Sequence, residues 1–312
     1  MTSLKNIFLF GTFLSVLLIF PKTTFAQGIS VSPSIVEMTI SNEIIKNEII
    51  TITNNEEQSF KINLNTSSFS VNSDDSLIID YESAENFTDW FSFPLDTITI
   101  PAKSSKEIPI ELAIPKNTPS GGYYPIVLIQ LKSEQIPQNQ NVGISFQFGI
   151  PHYITIENEN SKLQRTAEIL DFSSKGFIHL TPQALFTTTI RNKSKTHIKP
   201  IGSITIYDPK GIRQSNTVLI NEKFEHLLPE KQITEIHKWK DETINNTLFP
   251  PIGTYKAKLE LYLEDSRNNI PIATSVKSFY VLPYHYIFYI TLLAGVIVGI
   301  FFRIAKNRKT RQ

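Results

Sequence analysis

Six histidines, His152, His179, His197, His226, His237 and His285, are the residues best able to hold a metal or move a proton. No two of them stand at the short spacings of a zinc site, and no His-Glu-x-x-His run occurs. The chain has no cysteine, which removes thiol nucleophiles, iron–sulfur clusters and zinc–thiolate sites. It also lacks a Gly-x-Ser-x-Gly elbow, a phosphate-binding loop and a dinucleotide fingerprint. Asp74, Asp75 and Asp265 lie in polar stretches without EF-hand spacing and read as solvated turns. Two carboxylates brought together only by folding could still hydrolyse a glycosidic bond, and sequence alone does not reveal such a pair. The expectation is a protein with no catalytic residue, no metal and no cofactor; a cell-wall hydrolase is the remote alternative.

Recognition is the other chemistry to look for. Asp89-Trp90-Phe91-Ser92-Phe93-Pro94 gathers three aromatic rings in six residues, and Tyr123 and Tyr124 form a second aromatic feature. Exposed rings on loops suit sugar or protein partners, because each offers a large apolar face at small entropic cost. Trp90, Phe91, Tyr123 and Tyr124 are therefore the candidate partner-binding residues. The competing reading is that Trp90 closes one end of a β-sandwich.

The elements that must position these residues are strands. Phe60, Ile62 and Leu64 alternate with Lys61, Asn63 and Asn65. Ile108, Ile110, Leu112 and Ile114 form one face of another run, and Ile144, Phe146, Phe148 and Ile150 one face of a third. Tyr255, Ala257, Leu259, Leu261 and Leu263 alternate with Lys256, Lys258, Glu260, Tyr262 and Glu264. A period of two puts one face on a core and the other in water. Turn chemistry such as Asp208-Pro209-Lys210-Gly211 recurs at short intervals. The fold class expected is all-β: two tandem immunoglobulin-like β-sandwich domains followed by one transmembrane helix. The polar run Glu157–Lys162 marks the break, giving domains over residues 27–158 and 163–282.

The two halves share a grammar. An early strand ends in Asn in each, at Asn54 and at Asn192. A late strand is entered through Pro-x-Gly-x-Tyr in each, at Pro119–Tyr123 and at Pro251–Tyr255. Pro fixes φ and Gly admits positive φ, which suits a tight turn. The tyrosine can then bury its ring and return its hydroxyl to nearby backbone. Four Asn-x-Ser/Thr sequons, at Asn65, Asn86, Asn192 and Asn245, fit surface positions.

Both ends speak of a membrane. Lys5, the apolar stretch from Ile7 to Phe20, and Thr24-Phe25-Ala26 have the form of a secretory signal peptide over residues 1–26; an uncleaved anchor is the other reading. The uncharged run 284–302 is long enough to cross a bilayer. Arg303, Lys306, Arg308, Lys309 and Arg311 follow it, and basic residues beside a span stay cytoplasmic. The chain of 312 residues is thus expected in the cell membrane as a single-pass protein, its body extracellular and its tail, 303–312, inside. Setting aside Lys5, Lys22 and the five tail charges leaves 23 basic against 29 acidic residues. That acidic body is unsuited to nucleic acid, whose recognition starts with phosphate neutralisation.

Ile29–Glu37 stands ahead of Ile49–Asn55, Phe186–Asn192 leads into His197–Asp208, and Leu227-Leu228-Pro229 stands ahead of Trp239 and Gly253-Thr254-Tyr255. These stretches resemble the WxL-interacting protein family of Gram-positive bacterial surfaces. The order of signal, two sandwiches, span and basic tail is similar over the whole chain. The resemblance implies a surface protein whose first domain meets peptidoglycan and whose second meets matrix or surface proteins. The segment Pro119–Pro125 departs from the family, so no binding residue is carried over. The first half also resembles pilus-chaperone sandwiches, which add strands to partners. The function expected is non-enzymatic binding of a surface protein or cell-wall polymer, with assembly of exported proteins by strand addition as the alternative.

Overall fold

Alternating apolar residues with little helical periodicity leave the backbone to satisfy its hydrogen bonds between strands. The computed structural model describes residues 28–41, 45–72, 76–81, 87–132, 146–157, 163–212, 217–223, 225–241, 251–264 and 270–309, with backbone alone from 304 onward. The fold is mostly β-sheet with one C-terminal apolar helix.

The first half holds β1 (Ile29–Ser32), β2 (Val36–Ile40), β3 (Ile45–Asn54), β4 (Phe60–Val71), β5 (Leu77–Asp80) and β6 (Phe91–Ser92). It continues with β7 (Ile98–Ile100), β8 (Ser104–Ala113), β9 (Gly121–Tyr123), β10 (Pro125–Lys132) and β11 (Gln147–Ile156). One sheet runs β1-β3-β8-β6; the other runs β2-β11-β10-β4-β5, with β7 on β4 and β9 on β11. Ile52, Ile62, Ile100, Leu112, Ile129 and Ile154 are among the buried side chains between them.

The second half holds β12 (Ala167–Ser174), β13 (Ile178–His179), β14 (Gln183–Asn192) and β15 (Pro200–Tyr207). Then come β16 (Val218–Ile220), β17 (Gln232–Lys240), β18 (Gly253–Leu263) and β19 (Ala273–Val281). A three-stranded sheet, β12-β14-β17, covers a five-stranded one, β13-β19-β18-β15-β16. Phe186, Trp239, Tyr255 and Phe279 fill the space between. Each pair of sheets has its own core, one ending at Ile156 and the other beginning at Ala167. Most of the expected break at 157–162 lies outside the described residues.

The alternation expected in β18 is present: Tyr255, Ala257, Leu259, Leu261 and Leu263 all point inward and are buried. The shared turn grammar is also visible. The Tyr123 hydroxyl donates to the Pro119 carbonyl at 2.9 Å, and that of Tyr255 to the Pro251 carbonyl at 3.4 Å. Asn54 and Asn192 are both fully buried. Each gives its amide nitrogen to the carbonyl four residues on, Gln58 and Thr196, and each oxygen accepts the backbone N–H two residues on. Burial and these bonds correct the surface reading of the Asn192 sequon, since its amide is committed inside the fold. Asn65 is exposed, and Asn86 and Asn245 lie outside the described residues.

The helix, α1 (Tyr284–Lys309), continues past Phe302, so Arg303, Lys306, Arg308 and Lys309 sit on its last turns. Long basic side chains are good helix formers and complement the negative C-terminal dipole, which explains the extension. Arg311 and residues 1–27 lie outside the described residues. The stretch Tyr284–Arg303 is long and apolar enough to cross a membrane, and none of it is buried in the protein.

Candidate functional site

The principal gathering of titratable side chains lies where the two sandwiches meet. Sequence alternation gives β11 a solvent face, yet it is buried on both faces from Ile150 to Ile156. Ile150, Ile154 and Ile156 face the first core, while Tyr153 and Thr155 face the second sandwich. β2 lies parallel to β11 with Glu37 in register with Tyr153, so the carboxylate stands beside the phenol.

The second sandwich brings two loop segments to this face, and buried asparagines shape both. Asn192 donates to the carbonyls of Thr196 and Leu227, each at 2.8 Å, tying the segment after β14 to the segment before β17. Asn221, at φ 51, donates to Pro200 and Glu225 carbonyls and accepts from the Glu225 N–H. Positive φ suits asparagine, whose short side chain compensates locally. Ile198 and Leu227 then form an antiparallel bridge. This arrangement delivers His197, Lys199 and His226 to one place.

Glu37 receives all three. His197 Nε2 donates to its Oε1 at 3.3 Å, His226 Nε2 to its Oε2 at 3.1 Å, and Lys199 Nζ to Oε2 at 2.6 Å. Lys199 also meets Glu264 at 3.0 Å. His226 stacks on Tyr153, with ring centroids 3.9 Å apart and planes 15° from parallel. His197 meets the same ring edge-on at 5.2 Å. Around the cluster, Thr155 and Thr196 share a hydroxyl hydrogen bond of 2.7 Å, and the Gly122 N–H donates to the Lys195 carbonyl at 2.9 Å. A Cβ on Gly122 would lie 3.0 Å from the Thr196 Cα, so glycine permits this close approach. Phe69, Ile126, Leu128 and Tyr153 of the first sandwich enclose Leu228 of the second in a small core.

The charges explain the titration of the group. The hydrogen bond from His197 is the largest influence on Glu37; with those from Lys199 and His226 it outweighs burial and holds the carboxyl far below the usual carboxylate range. Burial holds His226 below its ordinary value despite Glu37. Burial, with the charge of Glu37 behind it, pushes the Tyr153 phenol up to about 12. Burial would lower Lys199, but its hydrogen bonds to Glu37 and Glu264 and their charges raise it.

Glu37 and Glu264, sharing one lysine, are close enough to suggest a hydrolase pair. A glycosidase acid needs a raised pKa, and Glu37 is shifted in the opposite direction. A cleft of about 250 Å³ beside the junction is lined by His226, Leu228, Asn221, Glu225 and Glu230 among others. Its carboxylates are paired, Glu225 with Lys223 and Glu230 with Arg191.

The residues singled out for their rings are placed differently. Trp90 and Phe91 are core residues, 8% and 7% exposed, and Phe93 packs against the same cluster. Tyr123 is half-buried, its ring 5.2 Å from Trp90 and 6.4 Å from Phe87. Tyr124 turns into the junction, edge-on to Phe69, Tyr153 and His197. Trp90 and Phe91 do not join the junction, and Tyr124 faces the second sandwich rather than the far end of the first. The sequence reading missed Glu37, His197, Lys199 and His226. The signal available was His197 and Lys199 just beyond a strand-ending Asn, the same position that organises a turn in the first half.

No family model matches this chain, and no curated protein matches it. Solved structures similar to it include the class 5 fimbriae chaperone CfaA, 12% identical with a TM-score of 0.42, over 81% of this chain and 99% of that one. A chaperone–tip adhesin complex of CFA/I fimbriae biogenesis is 13% identical, with a TM-score of 0.44, over 82% and 99%. The E. coli chaperone DraB is 11% identical, with a TM-score of 0.36, over 81% and 97%. At such values the likeness carries no argument about what this chain does.

Proposed function

We propose that this chain is a non-enzymatic, membrane-anchored surface protein in which two immunoglobulin-like sandwiches, residues 27–158 and 163–282, bind a protein partner outside the cell. The observation that carries the reading is the junction of body and helix. Only Leu282 and Pro283 separate β19 from α1. The Leu282 N–H donates to the His179 carbonyl at 2.8 Å and the Tyr284 N–H to the Leu180 carbonyl at 2.9 Å. The uncharged part of α1 is therefore joined to the second sandwich without a flexible stalk. Such a joint holds a body at a fixed stance above a bilayer, which suits presentation of a binding surface. The layout resembles that of the WxL-interacting family, and a cell-wall polymer is a second ligand class it would allow.

The absence of native cysteine makes the topology directly measurable. A single cysteine at exposed Lys210 should react with a membrane-impermeant maleimide on intact cells, and one at Gln312 only after permeabilisation. Labelling at 312 but not at 210 in intact cells would refute the orientation.

A second reading is favoured by β17. Its nine residues pair with β14 on one side, and among the described residues no ladder covers the other side. Ile236 at its middle is 73% exposed. An open edge of that length can accept a strand from another chain, which supports an accessory factor that holds exported proteins by strand addition.

A further inference from the structure

We infer that Glu37, His197 and His226 form a binding site for a divalent transition-metal ion of the zinc type, set between the two sandwiches. One carboxylate oxygen and two imidazole nitrogens lie within 4.8 Å of one another. His197 Nε2 lies 3.3 Å from Oε1 and His226 Nε2 3.1 Å from Oε2 of Glu37, so each imidazole stands from its own carboxylate oxygen at about the separation of neighbouring ligands around a zinc ion with bonds of about 2.0–2.2 Å. Two imidazoles and a carboxylate are a donor set for zinc, whereas calcium and magnesium call for oxygen alone.

The rings are held in the manner of ligands. Tyr153 fixes both, by stacking on His226 and by its edge against His197. The second ring nitrogen of His197, Nδ1, lies 3.4 Å from the Thr196 hydroxyl, an outer partner of the kind that selects the tautomer of a metal-bound histidine. Both side chains are nearly enclosed, while Glu37 keeps a path to solvent.

Lys199 marks where a cation belongs. Its ammonium lies 2.6 Å from Glu37 on a flexible stem, and Glu264 at 3.0 Å offers it a second partner once a metal displaces it. Metal entry would displace the ammonium and shift each neutral imidazole to its Nδ1–H tautomer, freeing the Nε2 lone pair for the ion, and a water would complete the coordination. Because Glu37 belongs to the first sandwich and both histidines to the second, the ion would clamp one to the other.

The test is calorimetric titration of the tag-free full chain in detergent with Zn²⁺ after stripping by a chelator, alongside thermal unfolding. One Zn²⁺ should bind per chain and raise the unfolding midpoint. His226→Ala and Glu37→Gln should lose more than the roughly 10–100-fold that removal of an outer partner costs. Lys199→Met, which removes the competing ammonium, should bind more tightly than wild type. Excess Mg²⁺ should not compete. Absence of saturable Zn²⁺ binding by wild type, affinity unchanged by His226→Ala, weaker binding by Lys199→Met, or displacement by Mg²⁺ would each overturn the site. The wild-type and Lys199→Met results decide the matter even if the other variants fail to fold.

Discussion

Asn192 ties the segment after β14 to the segment before β17 through one side chain, and its absence would leave the buried Thr196 carbonyl and Ser194 N–H without their partner and the Leu227 carbonyl with the Ile198 N–H alone. Asn192→Ala should therefore cost about 1–3 kcal/mol in urea unfolding. Asn54→Ala should cost a similar amount, because Asn54 holds the carbonyls of Gln58 and Pro101. A loss below about 0.5 kcal/mol in either would remove the structural role assigned to the pair. Glu37 gives a pH signature with a definite sign. Its folded pKa is depressed, so its contribution is fully present above the ordinary value of 4.5 and declines as pH falls below it. His226, held low by burial, adds to the acid loss, since the unfolded chain binds its proton more readily below 6.5. Thermal unfolding of wild type and Glu37→Gln should differ by a constant amount above pH 4.5 and converge below it. A difference that grows on acidification would contradict the ion cluster.

Strands with one face on a core and the other in water are legible from alternation alone, as β8 and β18 demonstrate through Ile108, Ile110, Leu112 and the run Tyr255–Leu263. β11 is legible only by half. Its second buried face depends on the other sandwich, and no local period encodes that contact. The ion cluster is illegible for the same reason: Glu37 stands 160 residues from His197 and 189 from His226, and spacing arguments see only short motifs. The aromatic run Trp90–Phe93 leaves two readings open. Its local composition suits an exposed loop and a core equally, and burial decides for the core. At β17 the open edge makes its own prediction. Ile236→Lys places a charge on an exposed position, so unfolding should change by less than about 0.5 kcal/mol. The same variant should fail to retain a partner in pull-downs from intact cells, because an edge lysine disfavours strand addition. Full retention would remove β17 from the binding surface.

On the scale of the whole molecule, three joints set the geometry. The hydrogen bonds at Leu282 and Tyr284 fix the second sandwich to the helix. Leu228 in its apolar socket and the Glu37 cluster fix the first sandwich to the second. Such stiffness would suit the proposed membrane-anchored body, which would hold one stance and offer β17 along its flank. Placing a photo-cross-linking residue at Ile236 of the full chain in intact cells tests this most directly, with exposed Glu107 on β8 as the control. A discrete adduct with one exported protein is expected from position 236 and none from position 107. No adduct from 236, or the same adducts from both positions, would contradict a partner held along β17.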